Sequence, residues 1–215
     1  MVLPPTRRTH LRFGHAGRAR NHGAAGRLRS GSVETTEDGP GAVILRAARP
    51  EDRTAIARID GSFTTDRVLR VRRTDTGFEA AETAVDPPVR KTFPDDDCGE
   101  ADDPGERTVV AEVRGRVCGF VTTVFQRWNR RLVVADLEVA PAHRGRGIGA
   151  ALLARAVEEG RRLGAGHVWL EVTHLNAPAV RLYRRAGFEL CGLDTSLYSG
   201  TASEGETALF MSRPL

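Results

Sequence analysis

Residues 132–149 read Leu-Val-Val-Ala-Asp-Leu-Glu-Val-Ala-Pro-Ala-His-Arg-Gly-Arg-Gly-Ile-Gly, an apolar β-branched run that stops at Pro141 and turns through Arg144-Gly145-Arg146-Gly147-Ile148-Gly149 into an Ala/Leu-rich stretch. A loop that opens a helix in this way aims several backbone N–H groups and the positive end of the helix dipole at one spot, which suits a phosphate. Glycines let the anion reach the backbone and permit positive φ, and Arg144 and Arg146 add fixed charge. Upstream, Asp136 and Glu138 share one strand face by two-residue alternation. Downstream, Glu171 ends a second strand, and Tyr183 follows twelve positions later. Carboxylates and a phenol are side chains able to take up or give a proton.

Two other phosphate loops are weighed against this pattern. The P-loop requires Gly-Lys-Ser/Thr at its end, and Ile148-Gly149-Ala150 supplies neither lysine nor hydroxyl. The dinucleotide fingerprint G-x-G-x-x-G/A is satisfied by Gly145, Gly147 and Ala150, with Glu171 near the place of a ribose-binding acid. That fold, however, puts its first glycine directly after the strand, whereas Pro-Ala-His-Arg intervenes here, and only one more helix follows.

The elements that must position these residues follow from the pattern. Residues 43–46 read as a first strand, and Pro50-Glu51-Asp52 opens a helix that carries Ile56 and Ile59 and ends at Gly61. Strands at 68–73 and 78–85 flank Thr-Asp-Thr-Gly, and 108–113 with 117–125 form a hairpin around Arg114-Gly115. Between these pairs lies an acid-rich loop with Asp95, Asp96, Asp97, Glu100, Asp102, Asp103 and Glu106. Such a run is ordinarily a solvated linker, and its functional use would be to collect a cationic substrate. After a turn at 128–131 comes the central strand, then a helix with Ile148, Leu152, Leu153 and Val157 on one face, ending near Gly164. The strand at 167–172 is expected to lie parallel to the central one because a helix crosses over between them. Asn176 caps the next helix, with Pro178 in its first turn and Gly187 after its end, and strands at 188–193 and 207–212 close the chain. The result is an α/β fold: a mixed, mostly antiparallel sheet with one parallel pair.

The 215 residues have a formal charge of +4, but the first 30 carry seven arginines and no acid, so the remaining 185 balance at 4 − 7 = −3. Nucleic-acid binding is therefore not read from the overall charge. Residues 1–41 read as a disordered, Arg/Gly-rich basic tail before a single domain at 42–215; a start at Val33 or Val43 would remove it. Cys98, Cys118 and Cys191 lack C-x-x-C spacing, which fits a reducing cytoplasm without a metal site. His167 and His174 are isolated and support no metal ligation, and no apolar run is long enough to span a membrane.

Arg144–Gly149 matches R-x-x-G-x-G, and Leu170-Glu171-Val172 through Asn176, Tyr183, Gly187 and Phe188 matches L-E-V-x-x-x-N-x-x-A-x-x-L-Y-x-x-x-G-F. In both, the sequence resembles the GNAT N-acetyltransferase superfamily. The resemblance implies the GNAT fold, with the central strand pair splayed for acetyl-CoA as cosubstrate and no metal. It implies that Leu137 and Val139, the loop residues Arg144, Gly145, Arg146, Gly147, Ile148 and Gly149, and Asn176 and Tyr183 hold the cofactor. Val139 would supply a backbone donor to the oxyanion, Glu171 the base, and Tyr183 the acid that protonates the departing thiolate. A phenol of pKa about 10 suits that last task. Asp136, Glu138 and water remain rivals to Glu171 as base, Asn176 is equally satisfied as a plain cap, and His143 fits a packing role.

Asp60-Gly61-Ser62-Phe63-Thr64-Thr65-Asp66, the run from Val85 to Asp96, Trp128 to Leu132, and Cys191 to Tyr198 with Gly200 to Ser203 resemble the streptothricin (nourseothricin) N-acetyltransferases over about residues 43–213. That implies a small cationic amine as substrate, the β-lysine part of an antibiotic, contacted by Asp136, Glu138, Trp128 and Asp194, and a homodimer joined through the late strands. The same base and acid would also serve acetylation of peptide N-termini or polyamines, and the loop alone would serve a non-catalytic acyl-CoA-binding regulatory domain.

Overall fold

The computed structural model describes residues 34–36, 42–93 and 105–215. Eight strands form one sheet in the order β1-β2-β5-β6-β7-β8-β10-β9, and β3 and β4 form a separate two-stranded arm. The strands are β1 (Glu34–Thr36), β2 (Val43–Ala47), β3 (Phe63–Thr74), β4 (Gly77–Lys91), β5 (Glu106–Val113), β6 (Arg116–Gln126), β7 (Arg131–Val139), β8 (His167–Thr173), β9 (Glu189–Asp194) and β10 (Ala208–Pro214), with helices α1 (Arg53–Ala57), α2 (Ile148–Arg162) and α3 (Ala177–Arg185). Of the sheet's neighbours only β7 and β8 run parallel. This is the mixed, mostly antiparallel sheet expected from the sequence, its one parallel pair following from the crossover helix, and β10 inserts between β8 and β9.

The apolar stripe of α2, Ile148, Leu152, Leu153, Ala156 and Val157, is buried against Leu132 and Val134 of β7 and Val168, Leu170 and Val172 of β8. Burial of each of the larger of these side chains contributes about 1.5–3 kcal/mol, so the crossover helix fixes β7 and β8 side by side. From α3, Val180 and Tyr183 join the same core, while the side chain of Asn176 accepts the Ala179 N–H at 3.1 Å as the helix cap.

Three elements depart from the sequence reading. The helix after Pro50 is a 3-10 turn at Pro50–Asp52 followed by only five α-helical residues, ending before Ile59. Its start is held by charge: the buried Asp52 accepts from Arg46 at 2.6 and 2.9 Å and from the Arg49 N–H at 2.8 Å. The arm strands are much longer than 68–73 and 78–85, and β4 runs through Pro87 and Pro88. There the register jumps from Arg67↔Ala84 to Thr65↔Val89, so both prolines lie in a bulge that asks for no ladder N–H. Within the segment read as a basic tail, Glu34–Thr36 pairs with Val43–Leu45 of β2; the rest of that segment, and the acid-rich stretch apart from Glu106, lie outside the described residues.

The arm is docked to the sheet by the Leu69 N–H, which donates to the His174 carbonyl at 2.8 Å, and by Leu69 itself, 1% exposed in the core cluster. It therefore covers the carboxyl end of β8, where Glu171 lies.

Candidate active site

Strands β7 and β8 pair only from Arg131↔His167 to Val134↔Leu170 and then separate. The cause is on β7: the register with β6 passes from Thr123↔Val134 to Thr122↔Asp136, leaving Ala135 as a bulge. The extra residue changes which side chains face the helices, Leu132 and Val134 before it and Leu137 and Val139 after it. Asp136 and Glu138 are thereby turned to the opposite face. Because the Ala140 N–H donates to the Cys118 carbonyl at 2.8 Å, strand alternation directs the amides of Leu137 and Val139 away from β6 and into the opening. Those donors suit an acyl oxygen that gains negative charge.

At the end of β7 the chain turns through a 3-10 segment, Pro141–His143, into the glycine loop. Gly145 has φ +74° and Gly147 φ +82°, and Gly147 caps α2 with no side chain, leaving the first-turn N–H groups open to an anion. A Cβ at either glycine would meet no atom within 4 Å, so backbone conformation, not crowding, demands glycine there. The loop thus fits a pyrophosphate approached from solvent, with exposed Arg146 beside it. Gly147→Ala is expected to raise the KM for acetyl-CoA about tenfold, since a left-handed alanine costs about 1–2 kcal/mol and its methyl group lies where the anion approaches. Steady-state thiol release, with kcat changed far less than KM, would check this.

Arg144 is engaged elsewhere. Its guanidinium donates to the carbonyls of Val139 at 2.8 Å, Ser62 at 2.5 Å and Asp60 at 2.6 Å. The side chain expected to face the phosphate instead ties the end of β7 to the turn before β3. Arg144→Ala should lower Tm by about 3–8 °C in a thermal melt, from the loss of charge-assisted bonds worth roughly 1.5–3 kcal/mol.

Glu171 lies on β8 between the core residues Leu170 and Val172, so alternation places it with Trp169 and Thr173 on the face away from the helices. The Tyr198 hydroxyl donates to its Oε1. Burial pushes the Glu171 carboxyl above the usual range; the Tyr198 bond opposes this and nearby Glu206 adds to it. Tyr183 is 8% exposed on α3 with its ring 6.1 Å from that of Phe188. Burial pushes its phenol up, and the charges of Asp136 and Glu171 raise it further. The phenol is therefore a weaker acid in the resting protein than its ordinary value suggested.

Other residues singled out from the sequence fall in different places. The Glu138 carboxylate lies against the α1–β3 turn, where a Cβ on Gly61 would come within 2.6 Å of Oε1, so a side chain there would displace the carboxylate. Asp194 accepts from the N–H and hydroxyl of Ser196 at 2.7 and 2.8 Å and so shapes the β9–β10 segment. Asn176 acts through its carbonyl oxygen as the α3 cap. His143 has a buried Nδ1 with no hydrogen-bond partner among the described residues. Trp128 is not brought to this opening. It is 78% exposed in the β6–β7 turn, and the five residues from Arg131 to Asp136 alone span roughly 17 Å at 3.3 Å each. What the sequence reading missed is a group beneath Glu171: Lys91 of β4 bonds Glu206 and, at 2.7 Å, the Ser203 hydroxyl, and Thr173 donates to Glu206 Oε2 at 2.5 Å. They come from β4, β8 and the β9–β10 segment, so no spacing within one segment shows that they meet.

A strand pair opened by a bulge, with amides aimed into the opening and a glycine loop at one end, is the arrangement of an acyltransferase. The family model described as "Acetyltransferase (GNAT) family" matches residues 73–188, and the chain belongs to that family, whose members take the acetyl group from acetyl-CoA. It is 52% identical to a streptothricin acetyltransferase of Streptomyces lavendulae over 177 residues, 79% of this chain and 94% of that protein. The crystal structure of a nourseothricin acetyltransferase superposes with a TM-score of 0.74 at 55% identity, covering 80% of this chain and 98% of that one. A Bacillus anthracis protein solved in complex with acetyl coenzyme A shares the fold at a TM-score of 0.67 and 22% identity, covering 80% of this chain and 98% of its own.

Proposed function

We propose that this enzyme transfers the acetyl group of acetyl-CoA to a primary amine on the β-lysine part of a streptothricin-class antibiotic, and so inactivates it. The acceptor rests on one observation, the 52% identity to a streptothricin acetyltransferase over 94% of its length. The chemistry is assigned to residues around the β7–β8 opening.

The amines of such an acceptor are ammonium ions at neutral pH and must lose a proton before attack. Glu171 takes that proton, which its raised carboxyl suits it to do. The amides of Val139 and Leu137 stabilise the acyl oxygen as the C–N bond forms. Tyr183 protonates the sulfur as the C–S bond breaks and regains a proton from the new amide nitrogen, while Glu171 returns its own to solvent. Acetylation removes one positive charge from the antibiotic and weakens whatever contact that charge made.

Purified protein mixed with acetyl-CoA and streptothricin should release free thiol and add one acetyl group to the antibiotic by mass spectrometry. Release with a peptide or polyamine but not with streptothricin would overturn the acceptor and keep the chemistry. Binding of acetyl-CoA with no release from any amine would overturn catalysis itself.

A further inference from the structure

We propose that Tyr198 is a positioning residue for the acetyl-transfer reaction: through its hydroxyl it holds the Glu171 carboxylate by one oxygen and leaves the other to face the amine. The inference rests on the assignment of Glu171 as base. It is carried by how the β9–β10 segment, residues 195–207, is built. The Asp194 carboxylate fixes the entry by accepting from Ser196. The Thr201 N–H and hydroxyl then donate to the Tyr198 carbonyl at 3.1 and 2.7 Å, and the Ser203 N–H donates to the Thr201 hydroxyl at 3.1 Å. The exit is anchored by Lys91, 7% exposed, on Ser203 and Glu206, and by Thr173 on Glu206. This ordering adds no side chain to the apolar core, and its product is one half-buried phenol donating to Glu171 Oε1. The second oxygen, Oε2, has no bond to any described residue.

The charged and titratable groups around Glu171 come from several elements. Tyr198 and Glu206 reach it from the β9–β10 segment and Tyr183 from α3. Lys91 of β4 offsets Glu206, His174 borders Glu206, and Asp136 of β7 acts on Tyr183. Among these Tyr198 is the group that donates a hydrogen bond to the carboxylate, so it favours the ionised form that accepts a proton.

Tyr198→Phe keeps the ring and removes only the donor. With streptothricin, kcat/KM at pH 7 is expected to fall about tenfold, the acidic limb of its pH profile to move up by about one unit, and the KM for acetyl-CoA to stay unchanged. Glu171→Gln with Tyr198→Phe should be no slower than Glu171→Gln alone, because the two side chains act as one unit. A second measurement does not depend on turnover: the Glu171 carboxyl carbon, labelled with 13C and assigned by its loss in Glu171→Gln, should titrate about one unit higher in Tyr198→Phe. An unmoved titration, or losses that multiply in the double variant, would overturn the role of Tyr198. A shifted titration in an enzyme that ignores streptothricin would instead overturn the acceptor and leave this inference standing.

Discussion

Tyr183→Phe lowers kcat by about 10²- to 10⁴-fold and leaves acetyl-CoA affinity nearly unchanged, the range expected when a positioned acid is removed. The ring lies in the core beside Phe188, so phenylalanine preserves the packing and Tm should move by less than about 2 °C. The size of the loss depends on how acidic the phenol is when the thiolate forms. In the resting protein burial, Asp136 and Glu171 all push it up, which by itself would make it a reluctant donor. Catalysis changes that environment: once Glu171 has taken the amine's proton it is neutral, and one of the two carboxylates opposing ionisation of Tyr183 is gone. With Glu171 as the proposed base and Tyr183 as the proposed acid, the phenol is strengthened only after the amine has been made nucleophilic. Single-turnover mixing should show that acetyl-CoA binds to Tyr183→Phe as before while thiol release is slow. Thiol release within threefold of wild type would assign sulfur protonation to another group.

The local parts of this site were legible in the sequence because each is written in consecutive residues. The glycine loop, the Asn176 cap and the crossover that makes β7 and β8 parallel depend on spacing within one segment, and all three stand in the structure. The bulge at Ala135 was not legible. Nothing in Val-Val-Ala-Asp-Leu-Glu-Val distinguishes a continuous strand from one that gains a residue, since apolar positions occur on both phases. Yet the bulge decides which face Asp136 and Glu138 take and where the amides of Leu137 and Val139 point. The place of the Arg144 side chain was not legible for a related reason: three backbone carbonyls brought together only by the fold accept from its guanidinium. Lys91, Tyr198 and Glu206 converge on β8 from segments as much as 115 residues apart, a separation no local spacing encodes.

Glu171→Gln is expected to cost about 10²- to 10³-fold in kcat/KM at pH 7, to remove the acidic limb of the pH profile, and to make the protein more stable at that pH. The rate loss follows from removal of the base and the stability gain from burial of the charge. Burial raises the folded-state pKa of Glu171 above its unfolded value, so the fold prefers the protonated form. Stability from this group is complete below the unfolded pKa and is lost as pH rises through the folded one, leaving the ionised carboxylate as a cost at pH 7. Each unit of elevation is worth about 1.4 kcal/mol, so glutamine, which keeps an oxygen for the Tyr198 hydroxyl, should raise Tm by roughly 3–6 °C per unit at pH 7. Below about pH 4 the carboxyl is protonated in both states, and the difference between the two proteins should vanish. Paired melts at pH 4 and pH 7 check the sign. Equal Tm values at both, with the rate loss intact, would mean that Glu171 is solvated as an ordinary carboxylate and that its use as a base does not come from its burial. A variant that keeps wild-type activity would pass the role of base to one of its rivals, Asp136, Glu138 or water.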